Sequence, residues 1–216
     1  MKKQLLFTYF FILSMLTFSQ SFISVYTGKT ISRFIYRDAN GEGVKDLEFS
    51  TGNQFYLSAG KIINDRLNLL IAVGNKEIRS EAVIANKLMS WEFHYADAQV
   101  GIGFFFLKQY IFKPYIRAGG YLGYMYKGRQ SYGEETFNLL KKNEEEIKAV
   151  DFGVYGSIGF EHELTNKANL FMDFQLAQGL NQIEWRSNGK EQMFNFYGSV
   201  SVGLRIFFPE NFKPIF

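Results

Sequence analysis

Residues 193–208 read MFNFYGSVSVGLRIFF, with Phe194, Phe196, Val200, Val202, Leu204, Ile206 and Phe208 on one set of alternate positions. Asn195, Tyr197, Ser199, Ser201, Gly203 and Arg205 occupy the other set. Period-two alternation sustained this far specifies a β-strand with one apolar and one polar face, since a helical face recurs every 3.6 residues. It does not say which face is inside.

The same pattern recurs along the chain, and eight such segments can be read. They run over about 22–37, 49–63, 67–78, 90–106, 112–127, 149–164, 168–185 and 193–208. Asn40, Gly41 and Gly43 punctuate the first connection, as positions needing φ > 0 require. Pro114 sits at the start of the fifth segment, where a missing N–H costs least. The connection after the third is read as the loop SEAVIANKLM. The longest is GRQSYGEETFNLLKKNEEEIK (128–148), in which Phe137, Leu140 and Glu144 would share one face of a short helix. Connections after the first, third, fifth and seventh segments are then long, and those between are short. An up-and-down meander with this order carries all its long loops at one end, the asymmetry of transmembrane β-barrels.

The N-terminus carries Lys2 and Lys3, an apolar stretch from Leu5 to Leu16, and small residues at Thr17 and Ser19. This is the pattern of a secretory signal, with cleavage after Ser19; an uncleaved anchor is the alternative. The domains are therefore read as a signal peptide (1–19), a barrel (20–208) and a short tail (209–216). No later run approaches the ~20 apolar residues a spanning helix needs. Absence of cysteine removes disulfides, lipoprotein attachment and thiolate metal sites. Without Lys2 and Lys3 the formal charge falls from +3 to +1, so net charge makes no case for nucleic acid.

Bulk assigns the faces. The apolar parity includes Phe55, Leu57, Val100, Ile102, Phe104, Leu122, Tyr124, Ile158, Phe160, Leu170, Met172 and Phe174, too much volume for an eight-stranded lumen. The other parity carries Gly101, Gly103, Gly119, Gly123, Gly153, Gly159 and Gly203, which suit a crowded interior. Twenty-four Phe and 13 Tyr also exceed what a small soluble core absorbs. These observations predict an all-β, eight-stranded antiparallel up-and-down transmembrane β-barrel with its polar face inward. A soluble lipid carrier, whose lumen also mixes polar and apolar residues, is the alternative.

Buried charges must be paired, so Asp97, Arg117, Glu161, Asp173 and Arg205 are expected to form a lumenal network that plugs the barrel. Trp91, Tyr126 and Trp185 are expected as aromatics at the outer interface. The first segment fits least well, because Lys29, Arg33 and Arg37 share a parity with Ile23, Val25, Ile31 and Ile35. A bulge near Gly28, turning Phe34 and Tyr36 to lipid, would resolve this.

FKPYIRAGGYLGY and VYGSIGFEHEL resemble the fifth and sixth strands of the small eight-stranded outer-membrane barrels of Gram-negative bacteria, especially the "outer membrane protein beta-barrel domain" proteins of Bacteroidota. The resemblance spans the chain from FSQ to GSVSVGLRIFF and implies residence in the cell outer membrane, lipid contact and delivery by the barrel insertion machinery. It specifies no activity. In that family a closing-strand aromatic usually ends the chain, whereas here PENFKPIF follows Phe208; VGLRIFF is taken as the insertion signal.

Some barrels of this shape modify lipid A with a Ser, a His and an acid at the rim. Here Ser90, Glu92 and His94 share a face, while Asp97 lies on the other, which argues against a triad. His162 sits between Glu161 and Glu163 and reads as a rim residue without a second histidine for a metal. The charge run in 128–148 reads as a solvated loop that could meet a surface partner. No phosphate-cradling or EF-hand pattern occurs, so no cofactor is implied. The reading is a non-enzymatic, monomeric outer-membrane barrel in a structural, adhesive or export-associated role.

Overall fold

The computed structural model describes residues 21–37, 47–64, 66–84, 87–107, 112–140, 147–183 and 192–208. They form nine strands: β1 (Ser21–Arg37), β2 (Leu47–Ile62), β3 (Leu67–Ile84), β4 (Lys87–Phe105), β5 (Phe112–Tyr132), β6 (Glu135–Asn138), β7 (Val150–Thr165), β8 (Ala168–Gly179) and β9 (Gln192–Phe208). Eight of them run antiparallel in the order β4-β3-β2-β1-β9-β8-β7-β5, and a β4–β5 ladder closes the ring. β6 lies outside the ring as a hairpin on the upper end of β5. Alternating side chains make each strand two-faced, and closure gives every ring strand two partners, so the ring has no free edge.

The stagger of the ring follows from the pairing. Ser32 pairs with Tyr197, then Ala177, Tyr155, Gly119, Gly101, Leu70, Gly60 and finally Phe22, returning to β1 ten residues lower. For eight strands at normal spacings, that stagger tilts them by about 40° and gives a backbone radius of roughly 8 Å. The line it traces passes through rings at Tyr197, Tyr155 and Phe22 and through glycines at Gly119, Gly101 and Gly60. A Cβ on Gly119 would come within 2.8 Å of the Tyr155 ring, and one on Gly159 within 2.6 Å of the Tyr115 hydroxyl. Those glycines are the space the tyrosines fill.

The polar parity is inward, as bulk predicts. Tyr197 and Tyr95 are fully buried, whereas Ile158 and Leu176 on the other parity are 62% and 63% exposed. In β9, Met193 through Arg205 at alternate positions are buried and Val202 and Ile206 face out.

Several local expectations are corrected. The loop read over SEAVIANKLM is ladder, with Val83 paired to Leu88 and Ile84 to Lys87, so only residues 85–86 connect β3 and β4. Ser80 and Ala82 continue the inward alternation, and backbone pairing carries the hairpin on past the polar residues. The third connection is therefore a long hairpin and not a long loop. The short helix expected in 128–148 is absent at Glu135–Asn138, which pair with Arg129–Tyr132 across a turn at Gly133, where φ is +61° and only glycine is unstrained. The seventh expected strand ends at Gly179, well before Trp185.

β1 has no bulge at Gly28. Its ladders with β2 and β9 run uninterrupted through that residue. Phe34 is consequently buried in the lumen and Lys29, Arg33 and Arg37 face outward. The outward position is supportable because Lys29 Nζ donates to Asn53 Oδ1 at 2.6 Å and Arg33 lies over the Phe49 ring. Irregularities fall elsewhere, between Phe49 and Gln54, between His94 and Tyr95 and between Glu163 and Thr165.

If the glycine spaces are what admit the tyrosines, Gly119→Val should lower the unfolding free energy of the refolded barrel by about 1–3 kcal/mol, the usual overpacking cost. Urea titration reads this, and an unchanged midpoint would show that both the Val100 carbonyl and the Tyr155 ring, which a Cβ on Gly119 would meet, give way.

Candidate functional site in the lumen and on the outer wall

Inward parity brings the charged side chains of six strands into a lumen too narrow for water-filled separation, so they pair in tiers. In the upper tier Lys76 of β3 meets Asp97 of β4 at 2.8 Å, both side chains fully buried. Its ammonium is 3.6 Å from the centre of the Tyr121 ring and 4.7 Å from that of Tyr197, a desolvated cation–π cage. Tyr56 and Gln99 also donate to Asp97, at 2.7 and 3.1 Å. Beside it, Asn195 donates to Asp151 at 2.8 Å and to the Tyr95 hydroxyl at 3.1 Å.

The middle tier joins Arg117 of β5 to Asp173 of β8 at 3.6 Å, with the Tyr115 and Ser157 hydroxyls donating to the same carboxylate at 2.9 and 3.0 Å. In the lower tier Arg205 of β9 is paired with Glu161 of β7 and donates from Nε to Ser24 at 3.2 Å. Asn169 donates to Glu161, and the guanidinium covers the Phe22 ring at 4.2 Å.

All five residues expected in the lumen are thus buried there, in two ion pairs plus Asp97. The partner of Asp97 is Lys76, which sequence reasoning did not single out; its even number in β3, with Leu70 and Ala72, was the available signal. Asp151 was missed in the same way. It leaves three buried inward cations against four carboxylates among the described residues, with Asp151 held by a neutral amide.

The long-loop end is closed by Phe34, Ile78, Phe93, Met125, Leu139 and Met193, which pack as one apolar cluster. Trp91 belongs with them: it shares the lumenal parity of Phe93 and packs edge-on to Phe34 at 6.0 Å, so it does not stand with Tyr126 on the outside. Tyr126 is exposed on the outer wall near His94, and Trp185 lies outside the described residues. The short-turn end is open as a shallow mouth of about 350 Å³, with Arg205 and Glu161 at its base and Lys113 and Glu163 among its lining.

A second polar group lies on the outer wall. Glu92 accepts from Lys127 at 2.6 Å and meets His94 at 2.6 Å; Arg79 pairs with Glu77 and, at 3.2 Å, with Glu92. Glu77, Glu92 and His94 are close enough to share an ion, yet Lys127 and Arg79 already occupy their oxygens. Asp97 is on the other side of the wall from His94, so the two cannot act together. His162 is set against Phe112, ring centres 4.9 Å apart, while its neighbour Glu161 points into the lumen.

The outer surface between these features is apolar. From Phe160 up to Val150, β7 turns Phe160, Ile158, Val154, Phe152 and Val150 outward. Ten residues of strand tilted by about 40° climb roughly 26 Å, the height of an outer-membrane barrel's apolar band.

No family model and no curated protein matches the chain. Solved structures do. The outer membrane protein OprG of Pseudomonas aeruginosa is 11% identical, with 89% of this chain and 97% of that one covered at a TM-score of 0.50. Neisserial surface protein A is 17% identical over 86% and 97% of the two chains, with a TM-score of 0.48. The outer membrane protease OmpT of Escherichia coli is 8% identical over 88% and 97%, also at 0.48. The fold is that of small outer-membrane β-barrels.

Removing one partner of the upper ion pair strands a buried charge, so Lys76→Met should cost about 3–5 kcal/mol of unfolding free energy. The double variant K76M/D97L should cost less than K76M alone, because no charge is left uncompensated. Urea unfolding of the four-member cycle measures both; additive losses would mean that Lys76 and Asp97 do not act as a pair.

Proposed function

We propose that this chain is an integral outer-membrane barrel without catalytic activity, exported behind residues 1–19 as a signal peptide, inserted through its closing strand, and acting as a monomeric structural or accessory element. The observation that carries the reading is the continuous apolar outer wall. Ile71, Val73, Val100, Ile102, Leu122, Val154, Ile158 and Leu176 are each about half exposed or more, far beyond the few hundred Å² of apolar patch that soluble monomers show. Among the described residues the lumen is filled by ion pairs and tyrosines, which supports a barrel that neither carries a lipid inside nor conducts. The fold-level resemblance points to Gram-negative envelopes and, through FKPYIRAGGYLGY and VYGSIGFEHEL, to Bacteroidota. The loop region 128–148, part of it the β5–β6 hairpin, is the element available to a surface partner, since loops on rigid scaffolds carry function. The eight residues after Phe208 are read as a periplasmic tail.

The reading against catalysis rests on His94 and Asp97 lying on opposite faces of β4. Two measurements test the proposal. Expressed with its N-terminus intact, the protein should fractionate with outer membranes, resist alkaline carbonate, and run at a different apparent mass on a gel before and after boiling. Release without detergent would overturn the membrane reading. Lipid A that changes mass on overexpression, and not in a His94→Ala strain, would overturn the reading against catalysis.

A further inference from the structure

The apolar wall is not level around the barrel. One circuit shifts the ladder by ten residues over eight strands, so a step to the next strand changes height by a little over one residue. At the height where β5, β7 and β9 still present Leu122, Phe152, Val154 and Phe196, the flank formed by β1, β2 and β3 presents Lys29, Asn53, Asn75 and Glu77, with Ile31 of β1 the apolar residue among them. Its outward apolar run in β3 stops at Val73, whereas that in β9 continues to Phe194.

Above this line the outward cations differ in their partners; Arg129 of β5 and Lys87 of β4 are exposed, with Lys87 over the Tyr132 ring. On β3 and β5, Arg79 and Lys127 are neutralised by Glu77 and Glu92. On β1, Arg33 and Arg37 are exposed and pair with no acid among the described residues, and Lys29 below them is bound to an amide oxygen. The three lie four residues apart on one face, spaced by about 13 Å. Aromatic rings flank the ladder: Arg33 sits over Phe49, and Phe196 and Phe194 of β9 are opposite Arg33 and Ile35. Aromatic side chains beside exposed guanidinium groups, at the upper rim of an apolar wall, give acyl chains a surface and leave positive charge at headgroup height.

Resting on the outer-membrane reading, we propose that the β1 flank binds the phosphate-bearing headgroup of an anionic membrane lipid through Arg33 and Arg37, with Lys29 as the lower contact. Guanidinium groups suit phosphate because their paired donors match its oxygens. The lowered apolar edge on this flank is where such a headgroup descends along the wall.

The full chain, refolded and placed in phosphatidylcholine nanodiscs doped with diphosphoryl lipid A, is delipidated by detergent exchange and examined by native mass spectrometry. The wild type should retain lipid A, and R33Q/R37Q should bind it about thirtyfold more weakly, the loss expected of two cations near a membrane surface. R66Q/K167Q, which removes the same charge at the short-turn end, should bind like the wild type. Gel mobility before and after boiling identifies folded samples; because both arginines are exposed, R33Q/R37Q should fold. Equal retention by wild type and R33Q/R37Q would overturn the proposal while leaving a detergent-dependent barrel intact, whereas loss of detergent dependence would overturn the membrane reading itself. Equal retention of dephosphorylated lipid A, or full displacement by millimolar inorganic phosphate, would also overturn it, the second in favour of a free-ion site. A protein that crosslinks to the wild type and not to R33Q/R37Q, with lipid retention unchanged, would assign the flank to a protein partner instead.

Discussion

The pairing of β1 with β9 is the constraint on which the rest of the molecule depends. It joins the first described strand to the last along an unbroken ladder from Ser21–Phe208 to Arg37–Gln192. Without it the sheet would end in two long edges whose backbone groups have no partner, a cost that rises steeply away from water. With it, the register around the ring is set, and the ten-residue stagger determines tilt, radius and which inward residues share a height.

Radius in turn dictates the interior. A lumen of this size is filled by side chains, and the chain fills it with tyrosines laid over glycines and with charges that cannot remain single. Lys76, Arg117 and Arg205 each have a carboxylate and at least one aromatic ring beside them. The hydrogen bonds around them cross between strands that are not neighbours: Tyr56 of β2 reaches Asp97 of β4, and Asn195 of β9 reaches Tyr95 of β4. Such cross-links tie separated strands of the ring together through the lumen. The interior is therefore a structural core built from polar residues, in which each buried cation meets a carboxylate and Asp151 is held by the Asn195 amide.

Much of this was legible beforehand, for physical reasons that differ by residue. Parity alone placed Asp97, Arg117, Glu161, Asp173 and Arg205 inside, since a period of two leaves no other choice once bulk has sent the apolar face outward. Parity also argued for Lys76, although a lysine near an expected strand end invites a reading as rim. Trp91 was misplaced because an aromatic near a strand end looks alike whether it caps a lumen or meets lipid; its odd number, shared with Phe93, was the deciding fact. In β1 a rule against outward charge suggested a bulge, yet the ladder with two neighbours outweighs three exposed cations that can reach an amide, a ring or a headgroup. The β6 hairpin was hidden because EETFNLL fits a helical face as well as a strand, and the turn at Gly133 decided it.

By itself the sequence determined that the chain is a series of two-faced strands with apolar residues outward, because side-chain alternation is a property of each strand and needs no partner. Only the tertiary structure decided how far each strand is paired, which cation meets which acid, and how low the apolar edge falls on the β1–β3 flank. Those depend on stagger around a closed ring, and stagger is a relation between strands far apart in the chain that no single strand encodes.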